Sequence, residues 1–290
     1  MSRITHTLVL SIATLAGCAE LNTSATEQGS HSWGSYHWAR TSNPFTVKLG
    51  DNVTSQWDSF LSTASSDWSK STVLDTTVVA GGSTSKRCTT TTGRVEVCND
   101  TYGNNGWLGI AGISVSGSHI TAAYVKLNDS YFNTATYNSP AWRALVTCQE
   151  VGHTFGLDHQ DENFNNANLG TCMDYSNDPS TNQHPNAHDY DQLVSIYSHA
   201  DSSTTVGLLG NDTAAQAAAE SAEWGELMST SQGDRESVYV KELGNDRMIF
   251  THVCGRRFPS SDRPFPGERE LHRSPRLRSL TPHLAIERSG

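Results

Sequence analysis

Cys148-Gln149-Glu150-Val151-Gly152-His153-Thr154-Phe155-Gly156-Leu157-Asp158-His159 is the stretch on which the reading of this chain turns. Ala141 to Phe155 has the pattern of a helix, so positions 149 and 153, four apart, share a face, and Glu150, one step round, reaches the same cavity. Gly156 can take the positive φ that ends a helix, turning the chain so that His159 points back. Two neutral imidazoles converging beside a carboxylate are what a catalytic Zn²⁺ site needs: ligands for the metal, and a base for its water. Glu, His, Gly and His at this spacing arise by chance in a chain of this length with odds of roughly one in a thousand.

Outward from that stretch, elements follow in mixed order. His37 to Arg40 and Pro44 to Leu49 read as an opening strand. Trp57, Phe60, Leu61, Ala64 and Trp68 fall on one helical face, with Asp51 or Thr54 as N-cap. Thr76 to Ala80 is a second strand, stopped by Gly81-Gly82. Trp107 to Val115 and His119 to Leu127 are two more, parted by Ser116-Gly117-Ser118. Tyr190, Leu193, Val194 and Tyr197 mark a closing helix. The order predicts an α/β (α+β) domain with a twisted mixed sheet packed on the active-site helix. Cys88 and Cys98 flank a β-rich run centred on Gly93 and are placed to staple a hairpin. Cys148 and Cys172 lie beside the two informative motifs. Four cysteines allow three pairings, of which Cys88–Cys98 with Cys148–Cys172 is favoured.

The central stretch resembles the metzincin zinc-peptidase signature His-Glu-x-x-His-x-x-Gly-x-x-His, and its wording from Val151 to His159 is closest to the matrixins. Cys172-Met173-Asp174-Tyr175 looks like the Met-turn of that clan. His188 to Tyr197 is similar to the closing matrixin helix, and Trp107 to Leu127 to the two strands above the cleft. The resemblance spans residues 36–200. It implies a metzincin-like catalytic domain that hydrolyses peptide bonds in protein or peptide substrates with Zn²⁺. His153 and His159 would be zinc ligands and Glu150 the general base. Met173 would floor the metal, and Leu108 to Val115 would bind an extended substrate by β-augmentation. The Cys148–Cys172 bridge would tie the active-site helix to the Met-turn. No Cys-bearing latency segment of matrixin type stands between Cys18 and the first strand, so that kind of switch is not expected.

The first family histidine is Gln149 here, and an amide oxygen is a weaker, harder donor than imidazole. Three outcomes stay open. Gln149 ligates through oxygen; or another residue completes the shell, with Tyr175 standing where astacins and serralysins place a metal-binding tyrosine and His184 and His188 nearby; or the metal is lost and the domain is a pseudoprotease that binds peptides. Tyr175 also reads as a packed tyrosine, His184 and His188 as loop residues, His119 as a surface histidine or part of a structural-metal site, and Trp142, Leu145 and Val146 as core. Ca²⁺ is a further candidate ion, with donors at Asp100 to Asn105 or Asn128-Asp129.

The ends differ from the middle. Arg3 and the apolar Leu8 to Ala16 read as a targeting signal, and Leu15-Ala16-Gly17-Cys18 resembles a bacterial lipobox, implying cleavage before Cys18 and its lipidation. An ordinary secretory signal is the alternative; either reading predicts export, to the cell surface, periplasm or beyond. Residues 1–18 are thus signal, 19–35 a polar tether, and 201–254 a small appendage with a helix over Asp212 to Trp224. Its hairpin pairs Val238-Tyr239-Val240 with Met248-Ile249-Phe250. Residues 255–290 are a Pro- and Arg-rich tail, read either as disordered or as the product of a shifted frame. That tail carries 8 Arg and 4 acids, so the chain's net −10 conceals 12 basic and 26 acidic residues, or −14, before it. So acidic a domain argues against a nucleic-acid partner; a monomer is expected, in contact with a membrane only through the lipid on Cys18 that the lipobox resemblance implies.

Overall fold

A computed structural model describes residues 29–208, 210, 224–231 and 235–255. It is an α+β domain built on one nine-stranded mixed sheet. The strands are β1 (His37–Trp38), β2 (Phe45–Asn52), β3 (Leu74–Ala80), β4 (Val95–Asp100), β5 (Trp107–Ser116), β6 (His119–Asn128), β7 (Glu226–Thr230), β8 (Glu236–Gly244) and β9 (Arg247–Gly255). In space they run β3-β2-β4-β6-β5-β9-β8-β7, with β1 beside the start of β6. The pairs β3/β2, β2/β4 and β4/β6 are parallel, whereas β6/β5, β5/β9, β9/β8 and β8/β7 are antiparallel. β4, β5 and β6 are buried along almost their whole length, as apolar runs covered on both faces must be. β2 alternates instead, with Phe45, Val47 and Leu49 inward and Thr46 and Lys48 outward.

The helices are α1 (Asp58–Trp68), the one-turn α2 (Asp129–Phe132), α3 (Pro140–His153) and α4 (Ala187–Ile196). α3 starts where Ser139 accepts a hydrogen bond from the Trp142 amide and Pro140 takes the first turn, a position that needs no proline N–H. α1 buries Leu61, Ala64 and Trp68, and the Trp68 indole N–H donates to the Cys148 carbonyl at 3.1 Å, locking α1 to α3. α4 opens with a reciprocal capping box between Asn186 and Asp189. Among the described residues no helix is long and apolar enough to cross a membrane.

Cys88 is bonded to Cys98, and Cys148 to Cys172. The first bridge does not staple a hairpin. Only Val95–Asp100 is strand, and it runs parallel to both neighbours; residues 88–94 are a loop, with Cys88 and Gly93 at positive φ. Neither Asp51 nor Thr54 caps α1; Trp57 holds the cap position without a side-chain bond, its indole donating to Asp129 instead. Val194 is 42% exposed, so the inward face of α4 is carried by Leu193 and by Tyr197 just beyond it.

The C-terminal hairpin forms in the expected pairing, Val240 opposite Phe250, across a two-residue turn whose Asn245 and Asp246 both have φ 55°, as a turn matched to strand twist requires. It is not an appendage. β9 pairs with β5 over its whole length, and Met248, Phe250 and Cys254 pack on the main core. The helix expected over Asp212 to Trp224 lies outside the described residues except for Trp224, as do residues 1–28 and 256–290. The tether boundary at 35 also moves. Ser32 bridges Leu157, and His31 and Trp33 are buried, because an indole and a paired backbone there cover the turn after α3.

Candidate metal centre

α3 delivers Gln149, Glu150 and His153 to the interior, each at most 1% exposed. Two glycines make room. A Cβ on Gly109 of β5 would lie 2.6 Å from Val146 Cγ1 and 2.7 Å from Glu150 Oε1, and one on Gly152 would lie 2.7 Å from Met173 Sδ. The helix can therefore approach the sheet on one side and Met173 on the other. After α3 the chain turns at Gly156, φ 89°, where a Cβ would sit 2.3 Å from the Tyr36 carbonyl oxygen. That turn brings His159 back over His153, their Nε2 atoms 3.1 Å apart.

The two rings are held for ligation. His153 Nδ1 lies 2.9 Å from the Leu157 carbonyl oxygen. A carbonyl can only accept, so Nδ1 carries the proton and Nε2 presents its lone pair. His159 Nδ1 faces the Asp158 carboxylate at 3.5 Å, leaving Nε2 to face His153. Two lone pairs aimed at one point repel unless a cation lies between them, and donors around a tetrahedral Zn²⁺ at about 2.1 Å stand about 3.4 Å apart. Trp33 stacks on His153 at 4.9 Å and 2°. Gln149 Oε1 and Glu150 Oε1 are buried without a hydrogen-bond partner among the described residues, the condition of oxygens that await a ligand or substrate.

The third imidazole comes from a place the sequence reading passed over. His252, on β9, completes a group of three histidines whose ligand atoms lie within 4.8 Å of one another. Its Nδ1 donates to Glu150 Oε2 at 3.1 Å, and its Nε2 lies 2.9 Å from Glu236 Oε2 as an ion pair without an aligned hydrogen bond. A signal was present: Met248, Phe250, His252 and Cys254 alternate along β9, so the inward phase of an apolar strand carries a histidine.

Electrostatics follow burial. Burial raises the Glu150 carboxyl, with His252 pulling it back. Burial, then His252 and His159, hold His153 well below its ordinary value, and His159 falls to about 4 by burial and His252 against the opposing Asp158. Both are thus neutral, the form that binds metal. Burial opposes charge on His252 as well, but Glu150 and Glu236 outweigh it and raise that ring to about 10. Glu236 is itself raised to about 7, chiefly by burial.

The edge of β5 expected to bind substrate is not open in this structure. β9 lies along it, with His252 opposite Ala111 and Phe250 opposite Ile113. The Tyr175 ring packs 4.1 Å from His159 and 4.8 Å from Phe164. His184 leaves the site for Asp67, Nδ1 to Oδ2 2.6 Å, and His188 stacks on His31. Leu145 and Val146 are core, with Trp142 half-buried against it. The donors expected for calcium at Asn128-Asp129 are engaged in hydrogen bonds within the chain. Asn128 bonds Tyr102, Ser130, Gly103 and Trp107, and Asp129 bonds Trp57 and Asn99. Among the described residues no group of three His, Cys, Asp or Glu side chains forms there.

Among the solved proteins to which the chain is similar, two serve as examples. One is myroilysin, 13% identical with a TM-score of 0.35, matched over 58% of this chain and 98% of that one. The other is high choriolytic enzyme 1, a hatching-enzyme zinc-protease of the medaka fish Oryzias latipes. It is 10% identical with a TM-score of 0.31, over 57% of this chain and 95% of that one. No family model and no curated protein matches the chain. The chemistry of the centre rests on its own geometry.

Proposed function

We propose that this chain is a zinc-dependent metalloendopeptidase of metzincin type, matrixin-like in its motif, exported and anchored through a lipid on Cys18. The observation that carries the reading is the pair of Nε2 atoms of His153 and His159, 3.1 Å apart beside the buried, unpartnered Oε1 of Glu150. Zinc, when bound, supplies a Lewis acid that polarises the scissile carbonyl and acidifies water. Glu150 takes the proton of the attacking water and passes it to the leaving amide nitrogen. Burial, which favours the protonated carboxyl, suits it to that shuttle. Met173 under Gly152 serves as the floor of the site, and α4 as the closing helix of the domain. Gln149 Oε1 is one candidate for the third donor; His252 is the other, provided that its Nε2 gives up its proton and its ion pair with Glu236.

His252 holds Glu150, and β9 fills the edge of β5, so peptide cleavage requires the hairpin to leave the cleft. Glu150→Ala is expected to lower turnover on a peptide library by about 10²–10⁴-fold with zinc content unchanged. His153→Ala is expected to lose the zinc. His252→Ala separates the roles of that ring: a gain in cleavage marks it as a block, and loss of zinc marks it as a ligand. A zinc-loaded chain that cleaves nothing, with His252 intact or replaced, refutes the peptidase. A mature N-terminus starting at an unmodified Cys18 by mass spectrometry refutes the anchor.

A further inference from the structure

A second cluster of donors lies apart from Glu150. His37 on β1 and His119 on β6 are register partners in the parallel pairing of those strands, so their imidazoles stand side by side on one face. The segment after α4 adds His199 and Asp201. His37 Nε2 is 3.1 Å from His199 Nε2 and 3.3 Å from Asp201 Oδ1. His119 Nε2 is also 3.3 Å from that oxygen, and His199 Nε2 is 3.6 Å from it. His37, His199 and Asp201 form a group whose ligand atoms all lie within 4.8 Å of one another.

We propose that His37, His199 and Asp201, with His119 as fourth donor, form a second metal site that takes a divalent transition ion of zinc type. The Ser35 carbonyl accepts a hydrogen bond from His37 Nδ1 at 2.7 Å. In the neutral ring Nε2 is therefore an acceptor, yet it faces a carboxylate oxygen and a second ring nitrogen. Acceptors crowded on one point are stable with a cation among them. Three imidazoles and one carboxylate are a donor set that zinc prefers; among His37, His199 and Asp201 the separations of 3.1, 3.3 and 3.6 Å match the spacing of about 3.4 Å expected around it, and His119 joins them through Asp201 Oδ1 at 3.3 Å. Supporting partners are in place. Arg40 Nη1 holds Asp201 Oδ2 at 2.7 Å, which leaves Oδ1 for the ion. His37 is buried whereas the His119 and His199 side chains are 36% and 50% exposed, so an ion can enter from solvent. The bound ion fastens β1, the β5–β6 turn and the chain beyond α4 to one another, a structural role.

The test uses the full chain carrying His153→Ala and His159→Ala, which removes the first centre. After zinc loading and gel filtration this variant should retain one zinc per chain, and zinc should raise its Tm. Cobalt in its place should give a tetrahedral absorption spectrum. Adding His199→Ala, or His119→Ala, both at exposed side chains, should weaken zinc binding by more than the roughly 10–100-fold typical of losing a supporting partner and abolish the Tm response. In the otherwise native chain the same single changes should take the zinc count from two to one. A double variant that holds no zinc, or single variants that bind as much as their parent, overturns the proposal. Zinc lost with His153→Ala but not with His199→Ala leaves the peptidase reading standing alone; the opposite pattern leaves only the second site.

Discussion

Gly109 and Gly156 set the geometry of the centre by what they lack. A valine at 109 would drive its side chain into Val146 and Glu150. Gly109→Val should cost about 1–3 kcal/mol and lower turnover, while zinc content, fixed by His153 and His159, which the added side chain does not meet, stays near that of the parent. Denaturant unfolding and metal analysis on one preparation check both. Gly156→Ala meets a different obstacle, a positive φ together with the Tyr36 carbonyl. It should destabilise by more than about 1 kcal/mol and weaken zinc binding, because the turn that returns His159 to His153 opens. Equal zinc affinity in that variant would dissociate the turn from the site. At this scale the motif was legible: helical spacing put 149 and 153 on one face, and a glycine three residues after His153 announced the turn. His252 was marked only by the alternation of β9, a faint signal, because a histidine in the inward phase of a strand has meaning only once the neighbour of that strand is known.

The disulfide Cys148–Cys172 joins the third turn of α3 to the loop that carries Met173, closing 24 residues of chain. Replacing both cysteines by serine should cost about 3 kcal/mol by the loop-entropy estimate, and the loss should appear as a lower urea midpoint, with His159 and Met173 loosened together. An unchanged midpoint would mean that Trp68 and the surrounding core already hold the loop. Element by element, β2, α1, β3, β5, β6, α3 and α4 were legible from period and punctuation, whereas the one-turn α2 was not. The segment between Cys88 and Cys98 was misread. Its threonines and Gly93 have the composition of a hairpin, but β4 is drawn into a parallel sheet by partners 46 residues earlier and 28 later, Leu49 and Ala123 against Val95, a contact that no local pattern encodes.

Over the whole molecule, two clusters of imidazoles stand on the same framework, one on α3 and its following turn, the other where β1, β6 and the chain after α4 meet. Exhaustive chelation should therefore lower the Tm of the intact protein by about 5 °C or more, since an ion held at a hundred times its Kd contributes about 2.7 kcal/mol. Restoring zinc should recover it, in two steps of saturation if the sites differ in affinity. A Tm indifferent to chelator would deny both centres a share in stability. The sequence by itself determined helix α3, the convergence of His153 and His159, the carboxylate of Glu150 beside them and the alternation of the C-terminal hairpin, because helical and strand periods and a glycine turn act within a dozen residues. Only the tertiary structure decided that β9 lies along β5 with His252 against Glu150, and that His37, His119, His199 and Asp201 meet. Those contacts join residues some 80 to 160 positions apart through sheet register and burial, which have no signature along the chain.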